Sequence, residues 1–389
     1  MRVTPGDAVA LTEALVRVDS RNPSLVPGAP GERDAALLIA EVLGGWGFLV
    51  ELAEAAPGRP NVIARIGGRP DGGGRSLMLN GHLDIVGTEG MAHDPFSAER
   101  RGDRLYGRGS ADMKAGIAAM CAAAWRAAVT GVAGEIVVAA VADEEFESLG
   151  TRALIASGVR ADAAIVTEPT RLAICPAHRG FVWVEVTVHG RAAHGSRYDI
   201  GVDAIRGAAF LLAELDAFEG AELVRRTHPL LGRASLHAST VEGGVGWSTY
   251  PDRCVLRIER RTVPGESAAA VVGEVEAAWM RVRARRPELT ATVRLETSQS
   301  ASDVAADAPV VRALASALRP LESPPRIEGL SAWTDAALLN EAGIPAICFG
   351  PGDIALAHAA EEWVPVGEIE RATEVLARLA AEWCGYGEQ

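Results

Sequence analysis

Apolar and polar positions follow two different rhythms along this chain, and the rhythm changes near residues 180 and 297. From residue 8 to about 175 helical spacing alternates with short strand-like runs. Helices are predicted near 8–18 and 31–46, and strands near 48–53, 60–66, 77–81 and 136–142. That alternation predicts an α/β layer architecture. The segment 115–129, "AGIAAMCAAAWRAAV", is so rich in alanine and so poor in charge that its helix should be buried, with Asp112 fixed at its N-terminal end.

Residues 180–297 read as strand, helix, strand, strand, helix, strand: "FVWVEVTVHG", "GVDAIRGAAFLLAELDAF", "ASLHASTVEGG", "RCVLRIERRTV", "SAAAVVGEVEAAWMRVRARR" and "LTATVRLET". The order βαββαβ is a split βαβ arrangement that closes as a small domain of its own. The helix–strand alternation resumes from about 298. The expected division is therefore a first domain of residues 1–178 and 298–389, interrupted by a second of residues 179–297. A chain of 389 residues exceeds what one core usually organises, which agrees with two domains.

Charge and composition narrow the partners. A formal charge of −13 argues against a phosphate-backbone partner, so nucleic acid is not expected. No apolar run approaches the roughly 18 residues of a membrane span. The N-terminus has acidic and proline residues where a signal peptide needs an apolar stretch, so secretion is not expected. Five cysteines, at 121, 175, 254, 348 and 384, are scattered without a C-x-x-C pair and suit reduced thiols in a cytoplasm. Of the 38 basic residues only Lys114 is lysine; the skew is read as compositional, with a local structural role left open by its place beside Asp112.

The candidate chemistry sits where apolar runs stop. His82, Asp112, Glu145, Glu168 and His358 each follow a Val/Ile/Leu/Ala segment or a glycine-rich turn, as ligand-bearing strand ends do in open α/β sheets. In "HLD" the carboxylate of Asp84 can take the second N–H of His82 and fix its tautomer. The adjacent acids Glu144 and Glu145 repel one another at the mouth of an apolar strand and call for a cation; one glutamate can bind it while the other faces a water. Mixed imidazole and carboxylate donors suit zinc, with cobalt or manganese as substitutes, and a shared aspartate would bridge two ions. Two divalent cations and a base are the equipment of a hydrolase. The histidines at 93, 178, 189, 228 and 237 are expected to pack or to lie on the surface.

The strings "GHLDIV", "GRGSADMKAG", "ADEEFESLG", "VTEPT", "GRAAHGSRYDIGVDAI", "RRTVPGE", "WTDAALL" and "AHAAEEWV" together resemble the M20 metallopeptidase family, nearly end to end. This is the group of acetylornithine deacetylases, succinyl-diaminopimelate desuccinylases, aminoacylases and glutamate carboxypeptidases. The resemblance implies a zinc-peptidase-like mixed-sheet catalytic domain with an inserted ferredoxin-like lid that serves dimerisation. It implies that His82, Asp112 and Glu168 hold one zinc and Asp112, Glu145 and His358 the other, with Glu144 as general base and Asp84 orienting His82. It further implies a cis peptide after Asp112, an oxyanion-stabilising role for His194, and an α-carboxylate grip by Arg261, with Arg260 and Arg257 as competitors. Trp333 and Gly195 depart from the usual family residues where substrate is contacted. The expected activity is hydrolysis of an N-acyl L-amino acid; the alternative is a dipeptidase or a glutamate-carboxypeptidase-like enzyme. A catalytically dead binding module on the same fold is the rival from another class, and it would be expected to have lost ligands or base.

Overall fold

The computed structural model describes residues 3–68 and 73–385. The chain folds as two compact units, Met1–Pro176 with Val304–Glu328 and Thr334–Gln389, and Ala177–Asp303 with Gly329–Trp333. The second unit reaches past 297 because the strand Thr290–Gln299 and the bridge of Ser302 and Asp303 to His178 and Ala177 carry its pairing further.

The first unit is built on a mixed sheet whose neighbours run Leu49–Ala56, Arg59–Gly67, Glu135–Val141, Leu77–His82, Ala163–Val166, Ala346–Cys348 and Ile174–His178. The first three pair antiparallel, while Leu77–His82 runs parallel to Glu135–Val141 and to Ala163–Val166, and Ala346–Cys348 runs parallel to Ala163–Val166. These central strands are buried along almost their whole length, as parallel strands covered on both faces must be. On one face Leu77, Leu79, Val138 and Ile165 join the main core with the helices Ala8–Val16, Arg33–Gly45, Ala115–Val129 and Val366–Cys384. Helices Leu149–Ala156 and Ala336–Glu341 pack on strands of the same sheet.

Helix Ala115–Val129 is buried from Ala115 through Ala124, as its composition predicts. Its alanines let it lie close under the sheet, and at Gly116 the approach is closest: a Cβ there would stand 2.0 Å from the carbonyl oxygen of Thr167. Asp112 does not cap this helix. It precedes it in extended backbone (φ −121°, ψ 93°), the helix starts at Ala115, and the Asp112–Met113 peptide is cis.

The second unit is a four-stranded antiparallel sheet in the order Ser235–Gly243, Arg253–Thr262, Gly180–His189, Thr290–Gln299, with helices Ala204–Ala221 and Ala268–Arg285. Numbered by chain order this is 2-3-1-4, the ferredoxin-like arrangement. Val182, Val184, Val186 and Val188 point to one side and form its core with Leu211, Leu215 and Val275. Among the described residues no helix is long and apolar enough to cross a membrane.

Lys114, the one lysine of the chain, is fully buried at the start of the alanine-rich helix and donates to the carbonyl of Val18 at 2.8 Å. Burial pushes its ammonium down to about 7, against the pull of Glu362 and Asp19. Below pH 7 the lysine is protonated folded and unfolded, so the full cost of burying the charge falls on the folded state. As pH rises through 7 the folded chain releases a proton the unfolded chain still holds, and the cost disappears on approach to the ordinary lysine range. Lys114→Met is therefore expected to gain on the order of 1–3 kcal/mol over the parent at pH 6, with the gain shrinking or reversing by pH 10. Urea unfolding at pH 6, 8 and 10 reads this, and a difference that ignores pH defeats it.

Candidate metal centre

Parallel pairing brings four strand ends to one edge of the sheet. His82 closes Leu77–His82, Glu144 and Glu145 follow Glu135–Val141, Glu168 follows Ala163–Val166, and His358 lies on the loop beyond Ala346–Cys348. In open α/β sheets this carboxyl edge is where ligands bind. Asp112 is delivered to the same place by the turn before the buried helix.

The five candidate ligands meet there in two overlapping groups. His82, Asp112 and Glu168 offer atoms all within 4.8 Å of one another, and so do Asp112, Glu145 and His358. Asp112 belongs to both. Its Oδ1 lies 3.1 Å from Nε2 of His82 and its Oδ2 3.5 Å from Nε2 of His358, so its two oxygens face opposite ways. Nε2 of His358 is also 3.0 Å from Oε2 of Glu145. His82 and Glu168 are buried, Glu144 and Glu145 half-buried, and His358 is exposed on a left-handed turn (φ 60°).

The electrostatics of this cluster asks for more positive charge than two imidazoles supply. Burial, aided by neighbouring carboxylates, pushes Glu144 and Glu168 well above the usual carboxylate range and raises Glu145 as well. Burial opposes charge on His82, but the hydrogen bonds with Asp112 and Asp84 outweigh it and raise its pKa well above the ordinary value. Hydrogen bonds to Asp112 and Glu145 push His358 up to about 10. Two imidazole nitrogens and three carboxylates, arranged as two sets sharing one carboxylate, fit a pair of divalent cations. The donors do not by themselves choose among zinc, cobalt and manganese.

Buried polar groups hold the candidate ligands from behind. Asp84 accepts the N–H of Glu144 and of Glu145, each at 3.1 Å. Nδ1 of His82 lies 3.0 Å from the main-chain oxygen of Asp84 and 3.5 Å from its carboxylate, so the nearer acceptor is the carbonyl. Burial works against ionisation of Asp84, but the hydrogen bond and charge of His82 and the Asn22 amide outweigh it and lower its pKa. On the other side of the site, Glu362 accepts the N–H of Ala111 at 3.0 Å and of Asp112 at 3.2 Å, and pairs with Arg108 at 2.7 Å. Arg108 also donates to the carbonyl of Ala359, next to His358. One buried ion pair thus ties the shared aspartate to the loop of the second histidine.

Two expected site residues belong to the second unit. His194 is exposed, and its Nδ1 accepts from the N–H of Ser196 at 3.3 Å and lies 2.8 Å from that serine's hydroxyl. A neutral His194 therefore carries its proton on Nε2. Arg261 pairs with Glu259 at 3.1 Å along its own strand and lies over the ring of Phe181. Of its competitors, Arg260 is fully buried and paired with Glu266, and Arg257 pairs with Glu185 and Glu242. Among the described residues the other five histidines join no metal-capable group. His178 is buried edge-on against Trp333, and burial pushes it down to about 4.

Sequence reasoning passed over Asn22, Glu32, Arg59 and Asp143, which line up behind Asp84, and gave Arg108 and Glu362 no role. Asn22, Glu32 and Arg59 lie in strings such as "SRNP" and "GRPN" that carry no motif, while Asp143, Arg108 and Glu362 sit next to the candidate residues in "ADEE", "GRGSAD" and "AHAAEE" without being singled out. One hint was Arg59, which opens the strand Arg59–Gly67 ahead of the apolar run Val62–Ala64.

Comparison with known proteins fits this geometry. The profile of Peptidase family M20/M25/M40 matches residues 78–382. An acetylornithine deacetylase of Myxococcus xanthus is 33% identical over 340 residues, covering 86% of this chain and 87% of that protein. The N-formyl-4-amino-5-aminomethyl-2-methylpyrimidine deformylase of Bacillus subtilis is 27% identical over 376 residues, covering 89% and 88%. The solved aminopeptidase PepT of Bacillus cereus superposes with a TM-score of 0.80 at 20% identity over 99% of this chain and 100% of that one. With matches of such length in sequence and fold, the chain belongs to peptidase family M20/M25/M40 and is a metal-dependent hydrolase of amide bonds.

Proposed function

We propose that the protein removes the acyl group from an N-acyl L-amino acid, in the manner of an acetylornithine deacetylase or a succinyl-diaminopimelate desuccinylase, with two zinc ions at the site. The observation that carries the reading is the pair of ligand groups sharing Asp112 directly beside the unassigned carboxylate of Glu144. The similarity to the Myxococcus xanthus deacetylase over 86% of this chain favours an N-acyl amino acid over a peptide.

In this reading His82, Asp112 and Glu168 hold one ion, and Asp112, Glu145 and His358 the other. When bound, the cations polarise the scissile carbonyl and make the attacking water more acidic. Glu144 takes a proton from that water as its oxygen bonds to the acyl carbon, then passes the proton to the nitrogen as the carbon–nitrogen bond breaks. A carboxylate whose pKa is raised by burial suits both transfers. The Nε2–H of His194 is the donor offered to the oxyanion, and the tautomer set by Ser196 leaves that hydrogen free. Arg261 is assigned to the substrate carboxylate, with Glu259 as the partner it would release.

The second unit is assigned to dimerisation. Its strand Ser235–Gly243 ends the sheet, pairs on one side only, and carries exposed Val241, with Trp247 fully exposed just beyond. An open edge of this kind is suited to a second copy of the chain. The buried, unpaired cysteines suit a reducing cytoplasm.

Three outcomes follow. Glu144→Ala should lower kcat by at least about 10³-fold while the purified protein still carries two equivalents of zinc; retained turnover removes Glu144 from its role. Across N-acetyl, N-succinyl, N-formyl and dipeptide substrates with added zinc or cobalt, kcat/KM should be highest for an N-acyl amino acid, and a tenfold preference for dipeptides turns the reading toward a peptidase. Sedimentation should give a dimer that Val241→Arg shifts to monomer, and a monomeric parent refutes the dimer assignment.

A further inference from the structure

Behind the metal centre runs a line of buried charges: Glu32, Arg59, Asp143 and Asp84, with Asn22 in its middle. Arg59 pairs with Glu32 and, at 2.7 Å, with Asp143. Asp143, on a left-handed turn (φ 68°), accepts the N–H of Glu147 at 3.2 Å and lies 3.4 Å from the N–H of Leu149. Asn22 donates from its single Nδ2 to both Asp84, at 2.8 Å, and Asp143, at 3.0 Å.

The orientation of that amide is forced by its neighbours. Oδ1 of Asn22 accepts the N–H of Ser24 at 2.9 Å, a group that can only donate, and two carboxylates that can only accept face the other end. The backbone is pinned as well, because the N–H of Asn22 donates to the carbonyl of Ile85 at 2.9 Å and the hydroxyl of Ser20 donates to the carbonyl of Leu83. Each hydrogen of one NH2 group is thus spent on a different buried carboxylate. One carboxylate holds the amides of Glu144 and Glu145, and the other holds the turn that follows them.

We propose that Asn22 is a positioning residue of the metal centre: by coupling Asp84 to Asp143 it fixes the Glu144–Glu145 turn and the imidazole of His82 in the placement that two cations require. The inference rests on the dinuclear reading above. Asn22 is buried behind the candidate ligands with its amide spent on Asp84, Asp143 and Ser24, and it acts through those hydrogen bonds. Replacing it with an apolar group leaves Asp84 and Asp143 facing each other with one donor fewer apiece, and both carboxylates can then turn away from the amides they orient.

The test measures zinc affinity by competition with a chelator, the visible absorption of the Co2+-loaded protein, and steady-state kinetics of the parent, Asn22→Leu and Asn22→Ser. Asn22→Leu is expected to weaken the binding of at least one ion about 10–100-fold, alter the cobalt spectrum, and lower kcat more than tenfold with KM within about threefold. Asn22→Ser keeps one donor and is expected to lose less on each count, which also covers the case that the leucine variant does not fold. If either variant is less stable yet retains the parent's zinc affinities, cobalt spectrum and kcat per folded molecule, Asn22 is only structural and the proposal is wrong. A parent that binds fewer than two ions overturns the dinuclear reading itself, and this proposal with it.

Discussion

The parallel pairing of four short strands is the constraint on which this molecule depends. Parallel strands put all their carboxyl ends on one edge, and here those ends are followed by His82, Glu144 and Glu145, Glu168, and the loop of His358. Residues nearly 280 positions apart in sequence, His82 and His358, therefore stand on either side of one aspartate. Parallel strands also need long crossovers and cover on both faces, which accounts for the buried helix Ala115–Val129 and for the near absence of polar groups along the strands themselves.

Concentrating carboxylates at that edge has an electrostatic cost, and the structure offsets it in two distinct ways. Behind the ligands, the pairs Arg59 with Asp143 and Arg108 with Glu362 neutralise acids permanently; removing one partner of such a buried pair typically costs about 3–5 kcal/mol. In front, Glu144, Glu145 and Glu168 lie close together, no arginine among the described residues pairs with them, and burial with their mutual repulsion raises their pKa values. The first arrangement gives rigidity. The second leaves an excess of buried negative charge that a pair of cations would offset.

The second unit is stabilised on simpler terms. Alternating valines on Gly180–His189 and the apolar faces of two helices make its core, and the arginines of its strands are largely paired with glutamates. Arg260 shows how far that goes, being fully buried between Glu266 and Glu274.

Much of this was determined by sequence alone. Helical and strand periodicities are local properties, so the βαββαβ order and the buried alanine helix could be read from residue spacing, and the five candidate ligands, which the fold brings together in two overlapping groups, from the positions where apolar runs stop. Tertiary structure decided what no local rule encodes. It set Asp112 between His82 and His358, and recruited Asn22, Arg59 and Glu362 behind the site. The reason is physical: a hydrogen bond or ion pair between buried groups depends on distances of about 3 Å, and only the packing of distant segments sets distances on that scale.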